Sequence, residues 1–301
     1  GDIIFGSTVD ATTAGTETLT LTTGNGDIAF FDVVGGTQRL GAVTINESYH
    51  VTLGDAFSSA SFTQTDVNSG AGTFTLSGDL HTDAGGVTIS SATVDLDASV
   101  TTTAGGANGL VTINAGTGGL DLAISKTITT TTAVDSGVQS GAIDINADGN
   151  VNLVGDLNTT GSSDSASAGT GAAGGAVTID TTGSATLGIA NITTSGGVAA
   201  AIGGTGGDAG QITLNTNTGV ITLNSSIVTA AGGAGGTPAN QGAGADITFS
   251  DAVVLAGPQS IINTGDTGGD ITFSSTVNSE VDIVTNTSLM RGLTLTAGTG
   301  N

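Results

Sequence analysis

Two carboxylates at matched points are the first residues in this chain that could do chemistry together. Asp95 sits in Val94-Asp95-Leu96, and Asp121 sits in Leu120-Asp121-Leu122. Each is the polar middle of an apolar triplet, the pattern of an outward position on a short strand. If the two strands are stacked neighbours, the carboxylates stand about 5 Å apart. That separation fits a retaining glycosidase pair or a divalent-cation site such as one for Ca2+. The row then continues as Asn152, Thr186 and Thr222, with no groove-lining aromatics beside it, so a solvated polar row is the simpler expectation.

Asp2, Asp27, Asp246 and Asp270 form a second set. Each precedes the first strand of a repeat, two near the start of the chain and two near its end. Stacked across an end-to-end seam, they would make a row of four outward carboxylates about 5 Å apart. Neighbours in such a row repel by about 1 kcal/mol per pair in water. Ca2+ or protonation would relieve it. The run Gly203-Gly204-Thr205-Gly206-Gly207-Asp208 is similar to the start of the calcium-binding nonapeptide GGxGxDxUx. Gly210 stands where that motif needs a large apolar residue, and no tandem copy follows, so a glycine-rich loop is expected. No helix follows these glycines, which excludes a dinucleotide fingerprint. His50 and His81 are isolated, with no third member for a triad, and read as structural or solvated. Arg39, Lys126 and Arg291 are too few to build the basic cleft of a polygalacturonate lyase. No catalytic residue is assigned, and no enzyme activity is expected.

Composition narrows the function classes further. Three Lys and Arg stand against 26 Asp and Glu, giving a formal net charge of −23. A phosphate backbone needs clustered cations, so nucleic acid is excluded as a partner. An anionic membrane surface is excluded for the same reason. No apolar run reaches the roughly 18 residues of a membrane-spanning helix. With no Cys there are no disulfides and no thiolate metal sites. Glycine is abundant, at 52 residues, but only 2 prolines and no Gly-X-Y period rule out collagen. Val, Ile, Leu and Phe recur in strand-like alternation, which argues against disorder.

These residues must be positioned by repeated short strands. Residues 175–209 and 210–244 match part for part as two 35-residue blocks. Each opens with an alternating triplet, Val177-Thr178-Ile179 and Ile212-Thr213-Leu214. A second pair is Ala185-Thr186-Leu187 and Ile221-Thr222-Leu223, and a third is Asn191-Ile192-Thr193 and Ser226-Ile227-Val228. A Gly/Ala-rich run closes each block. Three short strands and a flexible corner at a fixed period predict one coil of a β-solenoid, which must stack on its neighbours to bury its apolar face. The whole chain reads as a single repeat domain, residues 1–301, of about eleven coils. The register is least regular over residues 47–85, where Val51-Thr52-Leu53, Phe62 and Phe74-Thr75-Leu76 look like strands.

Stacking predicts rows along the axis. The first-strand outer row is Thr112, Asp144, Thr178, Thr213, Thr248 and Thr272. The third-strand inner row is Val100, Ile128, Leu157, Ile192, Ile227 and Ile261. Gly149, Gly188, Gly219 and Gly257 are expected at corners, where glycine adopts positive φ cheaply. Pro238 and Pro258 belong in corners too, since a ladder needs donors. Insertions over residues 133–141, 161–174, 195–210 and 231–244 should leave one corner as a loop ridge with a spacing or solubilising role. Thr-x-Thr pairs such as Thr73/Thr75 and Thr127/Thr129 would make an ice-binding face only with two regular threonine ranks. The first strand offers one, interrupted by Asp144.

The blocks GDITFSSTVN at 269–278, GLTLTAGTGN at 292–301 and ITTSGGVAAAIGGTGGDAGQITL at 192–214 resemble repeats of large bacterial surface exoproteins. These are the filamentous-haemagglutinin-like adhesins and related β-strand-repeat proteins, and the resemblance is one of repeat style over nearly the whole chain. It implies a right-handed parallel β-helix with three short strands per coil, secretion to the cell exterior, and a part in adhesion, matrix or fibre. It carries over no catalytic residues. The expected function is therefore a non-enzymatic extracellular structural or adhesive segment of a surface or matrix fibre. The alternative is a carbohydrate-binding or carbohydrate-cleaving β-helix of the lyase or tailspike kind. Partners are expected to be the chain itself, head to tail through terminal coils, and host or matrix glycans. The internal junction LTLTTGNGDIAF at residues 19–30 nearly repeats the chain's end followed by its start, so a longer array or filament is expected.

Overall fold

Alternation of apolar and polar residues builds strands throughout. The computed structural model describes residues 1–65, 72–166, 168–237, 240–279, 281–282, 287–288 and 291–298. Residues 66–71 of the irregular region, Pro238 and the last three residues of the terminal GLTLTAGTGN stretch lie outside them. The described chain is strand and turn, with one 3-10 turn at Gly106–Gly109. In Val87–Leu96, Val87 and Ile89 are buried while Thr88 between them is half-buried. This strand lies parallel to Val111–Leu122, Val87 opposite Val111 and Leu96 opposite Leu122. Val51–Leu53, Phe57–Thr65 and Thr73–Leu76 are the strands expected in the irregular region.

The outer row Thr112, Asp144, Thr178, Thr213, Thr248 and Thr272 is in register as expected. It extends back through Thr88, Thr63, Thr44 and Thr20. Beside it runs a rank of amides rather than a second threonine rank. Asn114 donates to Ser90 Oγ at 3.1 Å, Asn146 to Asn114 Oδ1 at 3.3 Å, and Asn215 to Asp180 Oδ1 at 2.8 Å.

The way the sheet closes corrects the expected fold class. A right-handed parallel β-helix of about eleven coils keeps three short strands per coil on separate open faces. Here the hydrogen-bonded neighbours lead back to their start. From Phe57–Thr65 the pairing passes through Leu80–Thr82, Val100–Thr102, Thr127–Thr130, Asp156–Asn158 and Leu187–Thr193. It returns through Val151–Leu153, Val111–Leu122 and Val87–Leu96 to Phe57–Thr65. The central sheet is thus a nine-stranded parallel β-barrel. The cause is that several strands run on through the expected corners. Val111–Leu122 pairs along its first part with Ile143–Ala147 and along its second with Val151–Leu153. Leu187–Thr193 likewise pairs with both Val151–Leu153 and Asp156–Asn158. A strand shared by two ladders joins faces that three short strands would leave apart.

The core is one continuous cluster of inward side chains. Edge-to-face rings link Phe30, Phe57, Phe62 and Phe74 at centroid distances of 5.3, 5.5 and 5.9 Å, an arrangement the ring quadrupoles favour. The third inner row holds as far as Ile192: Val100, Ile128 and Leu157 precede it in register. Its next members are Val228 and Ile262, not Ile227 and Ile261. Ile227 is 45% exposed. Ser225 takes φ 59°, and Ser226 turns inward to donate its hydroxyl to Ile189 O at 2.6 Å. One extra residue reverses the alternation beyond it.

Gly149, Gly219 and Gly257 sit in bends between strands as expected, but none of them, nor Gly188, has positive φ. Gly188 lies inside Leu187–Thr193. At Gly219 glycine is required by close approach, because a Cβ there would overlap the Ala185 carbonyl. Pro258 does sit in a turn, ahead of Gln259–Asn263.

A column of buried threonines, interrupted by Ala230, closes six of the repeats. Thr82, Thr102 and Thr264 donate their hydroxyls to the carbonyls of Gly85, Gly109 and Gly269 at 2.8, 3.0 and 2.9 Å. Thr130, Thr159 and Thr194 do the same to Gly141, Gly175 and Gly210. Gly210 N returns a bond to Thr194 O at 2.8 Å, and Gly175 N one to Thr159 O at 2.9 Å. The clamp spans a short turn at Thr82 and a long insertion at Thr194 alike, so the neck is independent of what leaves through it. Thr194→Val keeps the shape and deletes the donor. It should cost about 1–3 kcal/mol by orphaning the Gly210 carbonyl, read as a lowered urea midpoint with an unchanged slope.

Candidate functional site

The barrel brings Asp95 and Asp121 together. They are register partners on neighbouring parallel strands, and Asn152 follows Asp121 in the same row. Asn152 Nδ2 donates to Asp121 Oδ1 at 2.8 Å. The pair lines a groove of about 340 Å³ with Thr73, Thr93, Gly118, Asn150 and Asn152. Burial pushes the Asp95 carboxyl above the usual carboxylate range, helped by the charges of Asp97 and Asp121. Such a row can hydrogen-bond a hydroxyl-rich ligand or share a proton between carboxylates. Its continuation differs from the sequence expectation, since Gly188 and then Thr222 follow Asn152. Thr186 instead stands ahead of the strand, its N–H held by Asn150 Oδ1 at 2.9 Å. Leu187 and Ile189 are the inward pair there, two residues later than Ala185-Thr186-Leu187 suggests.

Asp2, Asp27, Asp246 and Asp270 are not one row. Asp2 and Asp27 flank Ile3–Phe5 and Ile28–Phe30, which stack with Val51–Leu53 and Thr73–Leu76. Asp246 and Asp270 flank Ile247–Phe249 and Ile271–Phe273, which continue the threonine-rank ladder. The two pairs head different ladders, so stacking like ladder on like ladder does not align them. Three of the four already have a structural role or partner. Asp2 Oδ1 accepts Asp27 N at 3.0 Å, Asp27 Oδ1 accepts His50 N at 3.2 Å, and Asp246 Oδ1 accepts Asp270 N at 2.9 Å.

This tie from side-chain oxygen to a neighbouring repeat's backbone recurs, and the sequence reading missed it. Asp79 accepts Ser99 N at 2.9 Å, Asp251 accepts Thr216 N at 2.7 Å, and Asn191 accepts Ile227 N at 3.0 Å. Asn-to-Asp ladders make the same connection through side chains: Asn191 to Asp156 at 2.9 Å and Asn215 to Asp180 at 2.8 Å. The usable signal was an Asp or Asn recurring at the same place in successive repeats. His50 belongs to this system, since its Nδ1 accepts Thr73 N at 3.1 Å. His81 lies on Leu80–Thr82, between Ser58 and Thr101. Arg39 pairs with Asp83 Oδ2 at 2.6 Å.

The insertions stack into a hydrogen-bonded glycine ridge rather than loose loops. Within one insertion, Gly207 N donates to Gly197 O at 2.9 Å. Between insertions, Gly161 N donates to Ser195 O at 2.9 Å, Gly196 N to Ala231 O at 3.0 Å, and Gly206 N to Asn240 O at 2.8 Å. Diagonal bonds from Gly197 N to Ala172 O and Gly233 N to Gly207 O, both 2.8 Å, lock the legs together. Packing this close leaves no room for Cβ: one at Gly207 would overlap the Ala172 carbonyl, and one at Gly197 the Ser162 carbonyl. The run at 203–208 is part of this array, and Asp208 Oδ1 accepts Ala243 N at 2.8 Å. Val134 and Ile202 project from the ridge at 64% and 87% exposure.

In comparisons with known proteins, no family model, no curated protein and no solved structure matches this chain.

Proposed function

We propose that this chain is a non-enzymatic structural and adhesive segment of an extracellular bacterial surface or matrix fibre, with copies stacking end to end. One observation carries the reading: polar side chains are spent on joining repeats. Asp2, Asp27, Asp79 and Asp246 hold the backbone of the next repeat, Asp251 holds that of the preceding one, and Asp156 and Asp180 accept from the next repeat's asparagines. The glycine ridge supports it by adding a second hydrogen-bonded layer along the barrel. Both features tie each repeat to its neighbours by hydrogen bonds, which suits a segment of a fibre.

A second reading, carbohydrate binding, draws on the groove of Asp95, Asp121, Asn150 and Asn152. Electron microscopy of the purified chain and a glycan array coupled to a sugar-release assay separate the two. The structural reading expects rods or fibres and no sugar release. Release that is lost in both Asp95→Asn and Asp121→Asn would overturn it and make the pair catalytic.

A further inference from the structure

Among the described residues, carboxylates on paired strands face neutral neighbours, with one exception. Asp144 stands between Thr112 and Thr178. Asp180 stands between Asn146 and Asn215, and Asp156 faces Thr127. Asp95 and Asp121 alone set carboxylate against carboxylate on adjacent strands. Asp121 has Asn152 as a donor on its far side. Asp95 faces Thr75 on Thr73–Leu76, Asp121 on Val111–Leu122, and Asp97 beyond the end of its own strand. No cation stands among these neighbours, and each carboxylate in the row adds repulsion across a strand spacing of about 4.8 Å.

We propose that Asp95 and Asp121 form a proton-operated latch between two adjacent barrel strands, slack when both are ionised and closed when they share one proton. A solvent proton adds to one carboxylate. The pair falls from two negative charges to one, and the new O–H donates to the carboxylate that remains. Repulsion across the strand pair becomes a charge-assisted hydrogen bond.

The elevated Asp95 carboxyl agrees with this, and its sign is opposite to that of the other shifted acids among the described residues. Backbone N–H groups of Thr37 and Gln38 lower Asp10, and Ser165 lowers Asp135 through its N–H and hydroxyl. A lowered acid stabilises the fold above its unfolded pKa, and that contribution is lost as pH falls. A raised acid does the reverse. Its ionised form weakens the fold at neutral pH, and acid restores what ionisation removed.

The test is urea unfolding of the full chain from neutral pH to about pH 4, near the ordinary carboxylate range. Asp95→Asn and Asp121→Asn are compared with the native chain. Asp266→Asn, an exposed site away from the pair, controls for bulk charge. Asp95→Asn and Asp121→Asn should each raise the midpoint at pH 7. That advantage should shrink to nothing as acid closes the native latch, while Asp266→Asn shows no comparable pH-dependent advantage. Midpoints at or below the native value at pH 7, or a gap that persists unchanged into acid, would overturn the latch. So would Ca2+ that stabilises the native chain at pH 7 but not Asp95→Asn, because a cation would then be joining the pair.

Discussion

Replacing Ile192 with Asp should cost about 4–5 kcal/mol, roughly a third or more of the margin of an ordinary domain. Ile192 is fully buried, between Leu157 and Val228 in the inner row. The new carboxylate would lose its water and gain no partner, and the branched side chain's packing would go with it. Thr193 next door points outward, between Asn158 and Thr229. Thr193→Asp should change stability by less than about 0.5 kcal/mol. Urea midpoints of the two variants measure the contrast. Equal losses would mean that the two residues do not face opposite sides of the strand.

Gly207→Val should break the ridge. Its side chain has nowhere to go, because the Ala172 carbonyl already occupies the Cβ position. Gly207 also donates to Gly197 O and accepts from Gly233 N, so displacing it disturbs three insertions at once. Overpacking of this kind costs about 3 kcal/mol or more against backbone that cannot move aside. The damage should be local, since the Thr194–Gly210 clamp shuts the neck below the insertion. Limited proteolysis should therefore cut within residues 195–210 before the barrel strands melt. Ala200→Val, on the exposed surface of the same insertion, is the control and should leave the protease pattern unchanged. If Gly207→Val resists protease like the native chain, the ridge is not held by glycine packing.

Much of the candidate groove was legible in the residues. Asp95 and Asp121 are each flanked by apolar residues that must point inward, so matching the triplets fixed the carboxylates as outward neighbours. Asn152 followed by the same logic from Val151 and Leu153. The prediction failed one step later, at Thr186. Residues 182–186 are Thr, Gly, Ser, Ala and Thr, and offer no large apolar residue to mark the phase. The slip at Ile227 has a related cause. Ser-Ser carries no inside-or-outside preference strong enough to reveal that Ser226 is the residue turned in.

The sequence by itself determined the all-β class, the parallel repeat and the rows from Thr112 to Thr272 and from Val100 to Ile192. Side chains alternate with a period of two, and burying one face of each strand forbids a one-residue slip against the next. Tertiary structure alone decided the rest. Whether a strand such as Val111–Leu122 ends at a corner or runs on to close a barrel depends on which neighbours its second half finds. Whether a Gly/Ala run is loose loop or packed ridge depends on carbonyls supplied from about 35 residues away. Glycine has no side chain to record that neighbour, and an Asp gives no sign of which backbone N–H it will hold. Those choices follow from distances between repeats, and they exist only once the repeats have stacked.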